Sequence, residues 1–205
     1  MCALFKSKYR IGSKRYYEFD YSSNGKYFVT ICTKNKITYF GKIENGVMKL
    51  SELGICLQNE LLETPSIRPD MNITLDEFVV MPDHFHAIII IGENRYNQNK
   101  IPNDHCRRHA MHCVSSKIHG VTTDTKFQSN QYQNEFAPQL KNLSSIIRGV
   151  KSAVTVYAKI NKLDFQWQPR FHDHIIRTNT ELIRIKKYII ENPQKWKCKT
   201  HNCQL

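Results

Sequence analysis

Met81-Pro82-Asp83-His84-Phe85-His86-Ala87-Ile88-Ile89-Ile90-Ile91 is the stretch on which the fold turns. Residues two apart on a strand point to one face. His84 and His86 therefore stand side by side while Phe85 enters the core. The Ala-Ile-Ile-Ile-Ile run that follows suits a strand buried on both faces, which predicts a strand over 84–91. Two neutral imidazoles on a rigid strand make half of a divalent-metal site. A pair of surface histidines has the same spacing. The apolar run favours the metal reading, because it fixes the pair at the head of a buried strand.

Working outward, Thr74 to Met81 predicts the preceding strand. Upstream, Gly25 opens Lys26-Tyr-Phe-Val-Thr-Ile-Cys-Thr33, a β-branched and aromatic run with strand character. A further strand is predicted from Ile37 to Ile43. Asn45-Gly46 signals a tight turn, with Val47 to Leu50 continuing beyond it. Ser51 can cap a helix to about Thr64, with Leu53, Cys56, Leu57 and Leu61 at helical spacing and Pro65 and Pro69 ending it. Downstream, residues 93–138 are rich in Asn, Gln, His, Ser and Lys and read as a long polar insertion. Helical spacing returns after Gln139 at Leu140, Leu143, Ile147, Val150, Val154 and Tyr157, with Arg148, Lys151 and Lys159 as the basic residues. A short strand over Phe171 to Arg177 follows. The last helix runs from Thr180 to Asn192, capped by Thr178 or Asn179 and stopped by Pro193. The order predicts an α+β sandwich, helices on an antiparallel sheet. Residues 1–24 form a basic lead-in, 25–197 one interrupted domain, and 198–205 a tail.

The 205 residues suit one domain carrying an insertion. Thirty Lys and Arg against 18 Asp and Glu leave a formal charge of +12. That field attracts polyanions, nucleic acid first and an anionic membrane second. No run of 18 apolar residues exists and the N-terminus does not read as a signal peptide, so a cytoplasmic, nucleoid-associated protein is expected. Cys2, Cys32, Cys56, Cys106, Cys113, Cys198 and Cys203 include no C-x-x-C pair and read as free thiols.

The last helix carries the second clue. Tyr188 and Asn192 are four apart and share a face with Glu181 and Arg184. Leu182, Ile185 and Ile189 form a different, buried stripe, which sets Tyr188 apart from the most apolar side. A tyrosine half-packed in the core is the plain alternative.

Met81-Pro-Asp-His-Phe-His86 with its Ile run resembles the HUH motif of single-tyrosine transposases. Trp167-Gln-Pro-Arg-Phe-His-Asp-His-Ile-Ile-Arg177 and Tyr188-Ile-Ile-Glu-Asn-Pro193 resemble the C-terminal signature of REP-associated tyrosine transposases. Ile146-Ile-Arg-Gly-Val-Lys-Ser152 resembles the helix that precedes it. The likeness covers roughly 25–92 and 139–197, with the blocks in the family's order, and leaves the insertion unmatched. It implies a ferredoxin-like core with helices on one face of the sheet. It implies binding of single-stranded or hairpin DNA, and cleavage through a covalent 5′-phosphotyrosine. Carried over by residue, Tyr188 is the nucleophile, His84 and His86 are metal ligands, and Asn192 is a third, amide ligand. The metal would be Mg²⁺ or Mn²⁺. A phenol titrates near pH 10, about three units above neutrality, and is a poor nucleophile while protonated. A divalent ion offsets that by neutralising charge on the phosphate. Relatives include dimers with shared sites and monomers, so a homodimer is one of two assemblies implied.

Other assignments compete for the same residues. His172-Asp173-His174 is a second His-x-His, and Tyr157 a second tyrosine at helical spacing. His105, Cys106, His109, His112, Cys113 and His119 in the insertion would suit zinc, although their spacing matches no regular finger. Trp167 and Trp196 are able to stack on unpaired bases. Arg148, Lys151, Arg170, His174, Arg177 and Lys187 are the main candidate DNA contacts, with Lys186, Lys195, Lys197 and Lys199 as further cations. A nucleic-acid-binding regulator of this fold without catalysis is the second functional reading, and a zinc-stabilised interaction module the third.

Overall fold

The computed structural model describes residues 19–98 and 141–196, with the backbone of two short strands, β1 (Leu4–Phe5) and β2 (Tyr9–Arg10). The chain divides into two compact units. In the first, residues 1–20 with 100–137, β1 pairs antiparallel with β2. The second, residues 21–99 with 138–205, contains the predicted elements. The candidate zinc residues, Lys197, Lys199 and five of the seven cysteines lie outside the described residues. Cys32 and Cys56 are free thiols.

The main sheet has four strands: β3 (Gly25–Cys32), β6 (Ile73–Met81), β7 (His84–Ile91) and β8 (His172–Ile176). Their spatial order is β6-β7-β3-β8, every neighbour antiparallel. Helix α1 (Glu52–Ile67) connects β3 to β6, and α2 (Leu143–Ile160) connects β7 to β8. This is the β-α-β-β-α-β arrangement of a ferredoxin-like sheet. A final helix, α3 (Asn179–Lys195), follows β8.

Alternation decides which face each residue serves. Tyr27, Val29, Ile31, Phe85, Ala87 and Ile89 share one face and are buried. Helices α1 and α2 pack against each other on that side, burying Leu57 and Leu61 with Ile146, Val150 and Val154. The opposite face presents Phe28, Thr30, His84, His86 and Ile88. Leu182, Ile185 and Ile189 of α3 pack there against Phe28, Val79, Ile88 and Ile176. The two crossover helices thus share one face as expected, and α3 is an addition on the other. Each fully buried aliphatic side chain in such a contact stabilises by about 1.5–3 kcal/mol.

Several boundaries differ from expectation for local reasons. The strand expected from Ile37 shrinks to β4 (Gly41–Glu44), paired with β5 (Val47–Leu50). A 3₁₀ turn at Lys34–Lys36 and the bonding of Phe40 N–H to the Pro82 carbonyl take the chain off the extended path. Asn45 and Gly46, at φ 52° and 76°, make the anticipated turn. Ser51 caps α1, its hydroxyl accepting from Gly54 N–H. Pro65 and Pro193 sit inside the last turns of α1 and α3 instead of ending them. A proline near a helix end removes one intrahelical bond and leaves the remaining turn intact.

Gly54 lets α1 approach the backbone of Phe40. A Cβ there would stand 2.2 Å from the Phe40 carbonyl oxygen. Gly54→Ala is expected to destabilise the protein by about 1–3 kcal/mol despite the gain in helix propensity. Chemical denaturation with an unchanged or raised midpoint would refute that packing account.

The described ends of the insertion are held together at Asp70. Its Oδ2 accepts from Tyr96 hydroxyl at 2.6 Å and from Lys141 Nζ at 2.5 Å, with Arg95 at 3.5 Å. Asn94 and Asn97 add bonds to the carbonyls of Met71, Gly92 and Ser22. Lysine and tyrosine hold the Asp70 carboxyl down to about 2. Replacing residues 99–140 with a short Gly/Ser linker is therefore expected to leave a folded protein. Loss of a cooperative melt in that variant would contradict it.

Candidate active site

His84 opens β7 directly after the Pro82-Asp83 turn, and His86 lies one residue pair further along the same face. Their Nε2 atoms stand 3.1 Å apart. The outer nitrogen of each ring is also engaged. His84 Nδ1 meets Asp83 Oδ1, and His86 Nδ1 meets Thr30 Oγ1 at 2.8 Å. Thr30 reaches His86 because the β3–β7 register sets them directly opposite.

These partners constrain the tautomers. A carboxylate only accepts, so His84 Nδ1 carries the hydrogen and Nε2 of the neutral ring presents a lone pair. A hydroxyl both donates and accepts. Thr30 can therefore donate to His86 Nδ1, leaving Nε2–H to donate to His84. It can equally accept from Nδ1–H, which turns a second lone pair toward the first. Burial, then the neighbouring His84 and His172, push the His86 pKa down to about 3. At neutral pH His86 is thus a neutral ring, as a metal ligand requires.

The donor set fits a divalent ion. Cis ligands about 2.1 Å from an octahedral ion stand roughly 3.0 Å apart, close to the spacing of the two nitrogens. Among the described residues no cluster of three or more His, Cys, Asp or Glu forms a metal site.

Helix α3 brings the tyrosine. Tyr188 hydroxyl lies 3.3 Å from His86 Nε2, its ring edge-on to those of His86 and Phe28. Tyr188 is 48% exposed and His86 5% exposed, so the hydroxyl stands where buried imidazole meets solvent. Two turns on, Trp196 packs over His84 with centroids 5.7 Å apart. Asn192 lies one turn after Tyr188 on the same face of α3. Tyr188 thus meets His86 and Trp196 meets His84.

The helix is fixed at several points. Thr178 caps it. Glu181 accepts from Arg177 N–H at 3.0 Å and bonds His174 Nε2 at 2.7 Å. Lys186 pairs with Asp76 at 2.7 Å, tying the helix to edge strand β6. The backbone bond from Arg177, and then His174, hold the Glu181 carboxyl below its ordinary value. His174, from the competing His-x-His, thus anchors the start of α3. Its neighbour His172 pairs in register with Thr30.

The candidate DNA contacts fall into two groups. Arg148, Lys151 and Trp167 line a groove along α2, with Arg170 in the adjoining turn at φ 67°. His174, Arg177 and Lys187 lie around α3, where Lys187 and Lys195 both pair with Glu191. Trp167 packs against Phe40, Phe85 and Phe165 and donates its indole N–H to the Lys151 carbonyl. Tyr157 belongs to α2, on the far side of the sheet from the histidines. Sequence reasoning missed Thr30. Asp83, inside the motif, was readable as a partner for His84.

The sheet order and the added helix give a fold similar to that of a REP-associated tyrosine transposase. The solved structure of such a transposase bound to a REP hairpin is similar to this chain with a TM-score of 0.51 at 20% identity, over 90% of this chain and 73% of that one. The chain belongs to the same family as an uncharacterized protein of Haemophilus influenzae, 32% identical over 196 residues, which cover 93% of this chain and 94% of the relative. No family model matches the chain. No helix of the described residues is long and apolar enough to cross a membrane.

Proposed function

We propose that the protein is a transposase-type DNA strand-cleaving and joining enzyme acting on single-stranded DNA beside hairpins. The observation that carries this reading is the placement of Tyr188 hydroxyl 3.3 Å from His86 Nε2, itself 3.1 Å from His84 Nε2. The likeness to a transposase solved with a DNA hairpin and the charge of +12 support it.

The Tyr188 oxygen attacks the scissile phosphorus. The new O–P bond forms as the bond from phosphorus to the 3′ oxygen breaks, and the electron pair leaves with that oxygen. The phenolic hydrogen is lost to solvent and the 3′ oxygen takes one up, leaving a 5′-phosphotyrosine and a 3′ hydroxyl. Attack by a 3′ hydroxyl on the same phosphorus reverses the step and joins strands without ATP. His84, His86 and Asn192 would hold Mg²⁺ or Mn²⁺, which would polarise the phosphate and neutralise developing charge. Asp83 and Thr30 orient the two rings. Phe28 and His86 hold the tyrosine ring edge-on, with its oxygen toward solvent and substrate.

Incubation with labelled single-stranded hairpin DNA from around the gene and Mn²⁺ or Mg²⁺ tests this reading. A covalent adduct on a denaturing gel is the expected result. Tight, metal-independent binding without any adduct would point to the non-catalytic regulator.

A further inference from the structure

Helix α2 contains no acidic residue over its 18 positions. Its outer side forms a groove of about 500 Å³, lined by Arg148, Ser152, Thr155 and Lys159 with Trp167 and Phe171 among its other walls. Cations, hydroxyls and aromatic faces in one channel are what a phosphodiester strand with unpaired bases requires. The positions from 144 to 159 span roughly 22 Å at the rise of an α-helix.

The aromatic wall also stands at the reactive end of the sheet. Trp167 forms a bridge with Thr33, and Gln168 N–H bonds the Cys32 carbonyl. Thr33 in turn bonds the Asp83 carbonyl through both its N–H and its hydroxyl. Phe171 directly precedes His172, which pairs with Thr30, the partner of His86.

Lys151 has a different task from the other cations. Its Nζ donates to the Gln168 carbonyl at 2.9 Å and reaches that of Arg170 at 3.4 Å. It also lies 5.6 Å from the Trp167 ring centroid. Desolvation by burial lowers its pKa. Lys151 is therefore a strut that braces the aromatic wall, while Arg148 and Lys159 are exposed.

We propose that this α2 groove is the track for the single-stranded DNA flanking the cleaved phosphate, with Arg148 and Lys159 as its phosphate contacts. The proposal rests on the cleavage reading for its substrate, and the two fail separately. Fluorescence anisotropy with a labelled single strand, in EDTA and across a salt series, is the measurement. The variants are Lys159→Gln, Arg148→Gln and their double, with Lys49→Gln as a control for bulk charge and thermal melting as a check of folding. The double variant should weaken binding about tenfold or more. It should also reduce the salt slope by about 1.4, at roughly 0.7 for each phosphate of a single strand that is no longer neutralised. Affinity and slope unchanged in the double variant, or an equal loss in Lys49→Gln, would overturn the proposal. So would wild-type binding of anionic vesicles that the double variant loses while its DNA affinity stays the same. A wild-type protein that makes no adduct, with DNA binding still lost in the double variant, leaves the groove standing and removes the cleavage reading. Adduct formation with unaltered binding in the double variant does the reverse.

Discussion

Tyr188→Phe is expected to eliminate the covalent protein–DNA adduct. Removing a nucleophile from a concerted site costs on the order of 10⁶-fold, far below gel detection. The substitution is mild for the fold. Phenylalanine keeps the edge-on contacts with Phe28 and His86, and the lost hydroxyl makes a 3.3 Å bond at a half-exposed position. Its stability cost should stay under about 1 kcal/mol. Tyr157→Phe is the paired control, since Tyr157 sits on α2 across the sheet from the histidines. An adduct that survives in Tyr188→Phe and disappears in Tyr157→Phe would reverse the assignment.

The second large effect is on cation affinity. His86→Ala removes one of the two converging Nε2 atoms and should reduce Mn²⁺ binding, measured by calorimetry, to the level of a lone surface imidazole. The more discriminating pair is Thr30→Val and Thr30→Ser. Valine keeps the β-branched shape and deletes the hydroxyl 2.8 Å from His86 Nδ1. Loss of such an outer partner costs about 10–100-fold in metal affinity. Serine restores the hydroxyl and should recover most of it. A ¹⁵N spectrum of the His86 ring adds a readout independent of activity, because valine removes the hydroxyl that Nδ1 bonds while the contacts at Nε2 remain. Equal Mn²⁺ affinity in wild type and Thr30→Val would refute the orienting role, as would a serine variant no better than valine.

Much of this site is legible in the chain because it depends on local periods. Alternation along a strand aligns His84 with His86, and helical spacing sets Tyr188 apart from Leu182, Ile185 and Ile189. Three features lie beyond that reach. Thr30 is one threonine in a β-rich run, and only its long-range register with β7 distinguishes it from its neighbours. Trp196 lies past Pro193, where a proline read as a helix stop conceals the extra turn that carries it to His84. The side of the sheet that α3 occupies is also hidden, since an amphipathic helix encodes that it docks and not where. Composition alone makes Lys151 a natural phosphate ligand. The carbonyls of Gln168 and Arg170 that accept its hydrogens belong to a turn that periodicity does not describe.

The polar clasp on Asp70 has an architectural consequence. It closes the chain near Gly92, just past the end of β7, while the histidines occupy that strand's beginning. Eight residues of extended chain place the two roughly 23 Å apart. The described ends of this segment thus leave the sheet at the end opposite the histidine pair. A reporter domain or affinity handle spliced between residues 99 and 140 should leave the fold and the Tyr188–His86 contact unchanged, read as an unaltered cooperative melt.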